Sequence, residues 1–401
     1  MKHSKKYISL LKILISIFAI AILYACGAGS SSSATPTISN TPKITLFSML
    51  NLTKSIVNCA NFNSNVAAIN NNGIVAGFIM SPKNNDSLQC QQHDYLWNSE
   101  SSNSLSIIPL PNSPFPAQEE VFGARIAALS TNLISAGIAF AGNPQDVVQF
   151  ASYNQNLLPY IINSGDEVLG VSENGQFLAG ANSMTEELLL FNTILKQPTT
   201  LTLDGKPFIG GAELISVSNN GTAVGIYNDT NISQNGIAII CKNATQNCQI
   251  VDKSNQYISS VRSISSDGQI IYGVQRNNND NTIFQVNPVT YSITPLFKGY
   301  TIYLHYNVTD SGAILVTPDA GDSYFIYVPK IGVYSVATLI HNLHLPSNID
   351  SRTATLSPNG KYIAFDVSSY TNNQVIGAKV FFPLGIERYL KDNIIPIAVN
   401  Y

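Results

Sequence analysis

The stretch that decides the fold is Val66-Ala-Ala-Ile-Asn-Asn-Asn-Gly-Ile-Val-Ala-Gly77. It consists of a short apolar segment, a polar turn that ends in glycine, and a second apolar segment. Asn-Gly pairs favour tight hairpin turns because both residues adopt positive φ at little steric cost. The stretch therefore predicts two antiparallel strands joined by a tight turn.

The same pattern recurs along the chain at regular intervals. The later copies begin at Ile126, Val168, Leu214, Val261, Tyr306 and Ala354. Successive turns, at Gly73, Asn132, Gly175, Gly221, Gly268, Gly312 and Gly360, are 59, 43, 46, 47, 44 and 48 residues apart. Four-stranded propeller blades repeat about every 40–50 residues. The sequence therefore predicts an all-β fold, a seven-bladed β-propeller.

Each repeat also offers two further strand candidates after its hairpin. In the first repeat they are residues 95–97 and 105–108, which are separated by serine and asparagine. We therefore expect four-stranded antiparallel blades. A glycine follows many of the turns by four or five residues, as at Gly77, Gly180 and Gly225. We expect it to let neighbouring blades approach closely near the axis.

The two ends of the chain indicate how the ring closes. The seventh repeat ends at residues 380–382 and lacks an obvious fourth strand, whereas residues 43–48 precede the first repeat without a blade of their own. We expect this N-terminal strand to complete the seventh blade, because closure removes an exposed sheet edge and couples the chain ends. The alternative is that residues 384–388 supply the missing strand.

The repeats resemble those of two known families. The first copy, followed by the aromatic segment Tyr95-Leu96-Trp97, resembles the HAF repeats of bacterial exported proteins. The last copy, Leu356-Ser-Pro-Asn-Gly-Lys-Tyr-Ile-Ala-Phe365, is similar to the repeats of TolB-type propellers. Between them these resemblances cover most of residues 43–390. They imply a fold and leave the function open, since propellers serve as binding platforms and as enzymes.

The first 25 residues have the layout of a secretory signal peptide. A basic start is followed by an apolar stretch from Ile8 to Leu23, interrupted by Lys12, and by Ala25. The alternative is a transmembrane anchor, but the apolar run after Lys12 is about a dozen residues, short of the roughly 20 that a spanning helix needs. Leu23-Tyr24-Ala25-Cys26 resembles the bacterial lipobox, which implies cleavage before Cys26 and lipid on its thiol.

Residues 26–42 are expected to form a flexible tether between the lipid and the propeller domain, residues 43–401. They contain a serine run and further Thr, Pro and Asn residues, and none of these can bury much surface. Several acyl chains on one residue anchor a protein firmly. Gly27, in place of aspartate after the lipidated cysteine, favours the outer membrane by the sorting rule of such lipoproteins. The expected location is therefore the bacterial envelope, as an outer-membrane lipoprotein.

The charge of the mature chain argues against nucleic-acid binding. Without residues 1–25 the chain has 17 basic and 24 acidic residues, a formal net charge of −7. Nucleic-acid binding requires clustered Lys and Arg. The expected partners are the membrane, through Cys26, and an unidentified protein or glycan.

Four cysteines remain once Cys26 carries lipid. An even number in an oxidising compartment predicts two disulfides, for which three pairings are possible. We favour Cys59 with Cys90 and Cys241 with Cys248, because each pair falls within one repeat. The alternatives are four buried free thiols or, with less support from the spacing, a zinc site.

No catalytic, cofactor or metal motif stands out in the sequence. His341 and His344 have a spacing that could bring both to one metal, but the glutamate and third ligand of a zinc hydrolase are missing. Tyr300, Tyr303 and Tyr306 could line a ligand site, although the segment around them alternates like an ordinary strand. We therefore expect no cofactor and no metal, and whether the protein is an enzyme stays open.

The function that these features favour is a non-catalytic propeller, tethered at the envelope, that binds a protein or a glycan. Two alternatives remain. The first is a hydrolase or lyase whose acidic residues converge in three dimensions. The second is a structural subunit of an envelope assembly.

Overall fold

Antiparallel β-strands make up nearly all of the regular structure. The computed structural model describes residues 39–47, 65–83, 86–98, 105–114, 121–143, 146–162, 167–182, 187–208, 211–228, 236–251, 258–277, 280–302, 308–321, 323–347, 349–350, 353–366 and 377–399. Residues from Asn40 onward form one compact unit.

The strands of the first three repeats, with the N-terminal strand, are β1 Lys43–Phe47, β2 Asn65–Ile69, β3 Val75–Lys83, β4 Asp86–Trp97, β5 Leu105–Ile107, β6 Val121–Leu129, β7 Ile134–Asn143, β8 Asp146–Gln155, β9 Leu158–Ile162, β10 Glu167–Val171, β11 Phe177–Asn182, β12 Glu187–Asn192 and β13 Gln197–Pro198. The later strands are β14 Thr202–Leu203, β15 Gly211–Val217, β16 Thr222–Asn228, β17 Ile237–Lys242, β18 Asn247–Ile250, β19 Ile258–Ile264, β20 Ile271–Asn277, β21 Asp280–Val286, β22 Ile293–Lys298, β23 Tyr300–Thr301, β24 Ile314–Pro318, β25 Phe325–Val328, β26 Gly332–Ser335, β27 Thr355–Leu356, β28 Tyr362–Asp366 and β29 Gly377–Phe381. Two helices are described, α1 Val336–Asn342 and α2 Ile386–Asn393.

The strands form the blades of an all-β propeller, as the repeat predicts. Among the described residues, five blades have four or five strands each, in the orders β1-β29-β28-β27, β10-β11-β12-β13, β14-β18-β17-β16-β15, β19-β20-β21-β22 and β23-β24-β25-β26. A further sheet has eight strands. In it β2–β5 and β6–β9 are joined by one parallel pairing, between Gln92 of β4 and Gly123 of β6.

The N-terminal strand β1 belongs to the sheet of the last repeat. It pairs antiparallel with β29, with Lys43 opposite Phe381 and Phe47 opposite Gly377. The alternative strand at residues 384–388 is not formed, because α2 begins at Ile386. The first and last segments of the propeller therefore share one sheet.

The glycines in the second strands have a different role from the one we expected. A Cβ on Gly225 would lie 1.9 Å from the carbonyl oxygen of Glu213, in the preceding strand of the same blade. Gly137 and Gly180 face their own preceding strands in the same way, at 2.0 Å. The register of each of these pairs shifts by one residue, as between Leu214 and Ser216. The glycines therefore accommodate β-bulges within blades, and the expectation that they let blades approach one another was wrong.

Gly225→Ala should therefore destabilise the protein. The new methyl group would overlap backbone atoms, which cannot move aside as a flexible side chain would, and we expect a loss of about 2–4 kcal/mol in the free energy of unfolding. Gly211→Ala is the matched control, since nothing lies within 4 Å of its Cβ position. Urea unfolding of both variants checks this, and equal midpoints would refute the role assigned to Gly225.

The hydrophobic core lies between neighbouring blades. Phe177 and Leu190, from the third repeat, pack in one cluster with Leu214 and Ile239, from the fourth. Another cluster joins the two ends of the propeller, because Tyr95 and Trp97 of the first repeat share it with Ala364 of the last. Burial between blades explains why most strands carry apolar residues on both faces.

Cys241 and Cys248 form a disulfide that joins β17 to β18. They lie directly opposite each other, at the base of the turn that connects these strands. Cys59 and the side chain of Cys90 lie outside the described residues, so their pairing stays a prediction.

Candidate functional site

The first turn of each repeat is held by its own side chains. In the third repeat the N–H of Gly175 donates to the carbonyl oxygen of Ser172 at 2.7 Å. The Ser172 hydroxyl donates to Oδ1 of Asn174 at 2.8 Å and accepts from the N–H of Phe177 at 2.9 Å. Gly175 has φ of +68°, which explains the preference for glycine there. The motif Ser-x-Asn-Gly thus satisfies its own polar groups.

Hydrogen bonds also link these turns to one another in a circle, which we call the turn ring. The links are Asn72 Nδ2 to Thr131 O (3.3 Å), Asn132 Nδ2 to Asn174 O (2.8 Å), Asn174 N to Asn219 Oδ1 (2.8 Å), Asn219 N to Ser266 O (2.8 Å), Ser266 N to Asp310 Oδ1 (3.3 Å), Asp310 N to Pro358 O (2.7 Å) and Asn359 Nδ2 to Asn71 O (3.1 Å). The seventh link returns to the first repeat, so these bonds form a closed circuit.

One acidic side chain reaches across the turn ring. The backbone of Asn71 donates a hydrogen bond to the Glu173 carboxyl group. Burial, together with the negative charge of Asp310, raises the pKa of Glu173 to about 8. Its Oε1 is buried and has no hydrogen-bond partner among the described residues. Glu173 is therefore mostly protonated at neutral pH, so its carboxyl group is available as a hydrogen-bond donor.

A second polar contact lies on the innermost strands. Glu213 of β15 and Arg262 of β19, in neighbouring blades, interact electrostatically. Burial raises the pKa of Glu213 and the charge of Arg262 opposes that rise. The Arg262 Nε–H also donates to Ser260 Oγ at 2.7 Å. One carboxylate facing one guanidinium is typical of structural packing and differs from the paired carboxylates of glycosidases.

Lys379 connects the last sheet to the first repeat. Its side chain is buried, and Nζ donates to the carbonyl oxygen of Gly73 at 2.6 Å. The ammonium group lies 4.8 Å from the ring centroid of Trp97 and 5.8 Å from that of Tyr362. Aromatic faces and a carbonyl oxygen stabilise the buried charge. Lys379 is not among the residues predicted from the sequence, although a lysine within the apolar strand Gly-Ala-Lys-Val-Phe is a visible signal.

Asp94 is buried where the first and second repeats meet. Its Oδ1 accepts a hydrogen bond from the N–H of Ile126 at 2.8 Å. Burial raises the pKa of Asp94 to about 7, against the smaller opposing effect of that hydrogen bond. Folding therefore favours the protonated, neutral form of the Asp94 carboxyl group.

Asp94→Asn should change the pH dependence of stability. The folded state binds the proton of Asp94 more tightly than the unfolded state does. The resulting contribution to the free energy of unfolding is therefore complete below about pH 4 and decreases as the pH rises to about 7. Above that pH it does not change further. The stability advantage of the variant over the wild type should grow across this window to at most about 4 kcal/mol. Denaturant unfolding from pH 4 to 8 measures it.

Asp267→Asn is the control for this titration. Hydrogen bonds from Ser265 and Gln269 lower the pKa of the exposed Asp267. Its contribution to the free energy of unfolding is therefore lost only as the pH falls. The Asp267 variant should therefore show no growing advantage between pH 4 and 7. The same profile for both variants would show that Asp94 does not titrate as described.

Most residues that the sequence singled out do not converge on a site. Cys26, Cys59, Tyr303 and Tyr306 lie outside the described residues. Tyr300 is partly buried and packs edge-on against Phe297 and Phe325, at the margin of a hydrophobic cluster. His341 and His344, near the end of α1, have no third ligand, since the described ranges contain no group of three or more residues that could hold a metal. No helix in those ranges is long and apolar enough to cross a bilayer.

The comparisons with known proteins concern the fold alone. No protein-family model matches the sequence, and no curated protein matches it. Among solved structures, the chain is similar to an oligogalacturonate lyase from Vibrio parahaemolyticus (10% identity, TM-score 0.48, covering 86% of this chain and 97% of that one). It is also similar to TolB from Acinetobacter baumannii (12% identity, TM-score 0.40, covering 77% and 79%). These likenesses are too distant to bear on activity, and the lipoprotein and HAF assignments stay predictions.

Proposed function

We propose that this protein is an outer-membrane lipoprotein whose seven-bladed propeller, anchored through Cys26, binds a protein or glycan without catalysing a reaction. In this proposal the eight-stranded sheet counts as two blades, β2–β5 and β6–β9. The closed circuit of the turn ring supports seven blades. The pairing of β1 with β29 supports closure of the ring by the N-terminal strand.

The difference between the two faces of the propeller carries the proposal. One face, which we call the turn face, carries the turn ring. The opposite face, the hairpin face, carries the connections between second and third strands. The hairpins that reach this face are longest in the first two repeats. Strands β3, β4, β7 and β8 have 9, 12, 10 and 10 residues, whereas the corresponding strands of the third to fifth repeats have 6 or 7 residues.

The first of these long hairpins contacts β6, the strand that pairs with β7 of the second. Gln92 Nε2 donates to the carbonyl oxygen of Ala124 at 2.8 Å. The Arg125 guanidinium lies 5.8 Å from the ring centroid of Phe78. A binding surface built on strands that support each other is rigid, which lowers the entropy lost on binding. We therefore assign partner binding to the hairpin face.

Affinity capture from detergent-solubilised envelopes tests this proposal. The bait is the mature chain with Cys26→Ser, and Arg125→Glu is the variant that removes the contact between β6 and Phe78 of the first long hairpin. Lys361→Glu, an exposed residue of the turn face, is the matched control. We expect Arg125→Glu to reduce recovery of the partner at least about tenfold and the control to leave it unchanged. Recovery of neither protein nor glycan, or equal recovery by both variants, would contradict the assignment.

One observation favours the alternative of a lyase or hydrolase. Glu173, whose pKa is raised to about 8 by burial and by the negative charge of Asp310, has the character of a general acid beside a carboxylate. Under this alternative, Glu173→Gln would abolish cleavage of a polysaccharide while preserving the hydrogen bond from Asn71. Capture of the partner would be unaffected, so the two functions can be distinguished.

A further inference from the structure

Exposed aliphatic side chains are concentrated on the turn face. The turns between third and fourth strands, which we call the outer turns, lie beside the turn ring: Thr193 donates to the carbonyl oxygen of Gln176, and Asn243 donates to that of Gly221. They comprise residues 156–157, 193–196, 243–246, 287–292 and 329–331, and residues 382–385 follow β29 in the same place. Leu158, the first residue of β9, follows the first of these turns directly. The exposed aliphatic residues here are Leu158, Ile194, Leu195, Val289, Ile331 and Leu384. Val289 is 78% exposed and Ile194 71%.

The charge of the outer turns has one sign. Lys196 and Lys330 lie within them, Lys242 lies directly before one, and none of the ranges given above contains Asp or Glu. The acidic residues Glu173, Asp267, Asp310 and Glu387 of the turn face lie outside these ranges, and Glu387 accepts a hydrogen bond from Ser311 in the turn of the sixth repeat. Aliphatic side chains next to lysines suit an anionic lipid surface, where each lysine adds about 1 kcal/mol of attraction.

The N-terminal strand begins at the same face. Lys43, the first residue of β1, is opposite Phe381, the last residue of β29, just before the turn at residues 382–385. The tether predicted from Cys26 to Pro42 therefore joins the propeller on the turn face. A flexible segment of that length spans roughly 20–25 Å, so lipid on Cys26 would keep this face close to the bilayer.

We propose that the outer turns rest on the surface of the lipid bilayer, with Leu158, Ile194, Leu195, Val289, Ile331 and Leu384 inserted at the level of the headgroups. This inference rests on the proposed lipid anchor. The aliphatic residues come from five repeats spread around the ring, which suits an extended partner better than a small one. The hairpin face then points away from the membrane, where a partner reaches it.

Quenching of introduced tryptophans by brominated lipid tests the proposal. Val289→Trp places the probe in an outer turn, and Asp280→Trp is the matched control at an exposed position of the hairpin face. Trp97 is fully buried and gives a constant background in both. The lipidated full chain is reconstituted in vesicles of three parts phosphatidylethanolamine to one part phosphatidylglycerol. We expect strong quenching of the tryptophan at 289 and none of that at 280, because interfacial side chains insert about 5–10 Å.

Retention in the vesicles reports the lipid anchor, and quenching reports the orientation. Retention without quenching at position 289, or with equal quenching at both positions, overturns the docking surface and leaves the anchor intact. Failure of retention overturns the anchor. In that case the binding of the unlipidated chain to the same vesicles is measured. We expect the double variant Ile194→Asn with Val289→Asn to bind at least about tenfold more weakly than the unlipidated wild type. Equal binding, or assembly through these residues with a second copy or another protein, also overturns the docking surface.

Discussion

Deletion of residues 39–47 from the mature chain should lower the melting temperature by roughly 4–8 °C, because about 3–6 kcal/mol of stability is lost. The deletion removes the whole of β1 and its five pairs with β29. It leaves the backbone of β29 unpaired at an exposed sheet edge, which also invites aggregation. Calorimetry of the two chains measures the difference.

A second deletion separates loss of the strand from loss of the tether. Removal of residues 27–38 shortens the predicted tether and keeps β1, so the melting temperature should not change. Equal melting temperatures for the wild type and both deletions would show that β1 does not hold the ends of the chain together. The control also excludes a general effect of truncation.

Cys26→Ser should release the protein from membranes almost completely. A chain with several acyl groups at its N-terminus is firmly bound, whereas loss of the acceptor thiol removes every one of those groups. The outer turns alone would bind reversibly, so washing should clear the variant. Immunoblots of washed membrane and soluble fractions measure the change, and the membrane-bound fraction should fall more than about tenfold.

The disulfide variant serves as the control for Cys26. Cys241→Ser combined with Cys248→Ser removes two other cysteines and opens a small loop, which costs less than about 3 kcal/mol. It should stay in the membrane fraction as the wild type does. Retention of Cys26→Ser after washing would show that something other than lipid holds the chain.

The sequence predicted the repeat because each blade uses the same short-range chemistry. The Ser-x-Asn-Gly turn occurs in three repeats and in related forms in the others. It depends on residues only a few positions apart, so it is visible as a spacing pattern. The pairing of β1 was also predictable, since the last repeat lacked a strand and the N-terminus offered one. The number of strands in a blade can be read from the local pattern, and an exposed sheet edge requires a further strand to pair with it.

The features that escaped prediction depend on contacts between distant residues. Lys379 contacts Gly73 across 306 positions, and Glu173 reaches Asn71 in another repeat. No spacing rule connects such residues. The helix α2 is a different case, because Ile386, Tyr389 and Leu390 have the i, i+3, i+4 spacing of a helix buried on one side. That spacing favours a helix over the alternative strand at residues 384–388, which is not formed.

The bulges show how one residue type can have two explanations. Gly180 in an apolar strand is consistent with a close approach between blades and equally with a bulge inside one blade. The decision depends on the carbonyl oxygen of Glu167, which a Cβ would meet at 2.0 Å. The glycine itself was predictable as a site of close approach, and its partner was not.

Mass spectrometry of the N-terminal peptide, released from protein purified out of membranes, tests the lipoprotein assignment most directly. We expect a chain that begins at Cys26, with diacylglycerol on its thiol and a further acyl chain on its amino group. A chain that keeps residues 1–25, or one that begins elsewhere and carries no lipid, would contradict it.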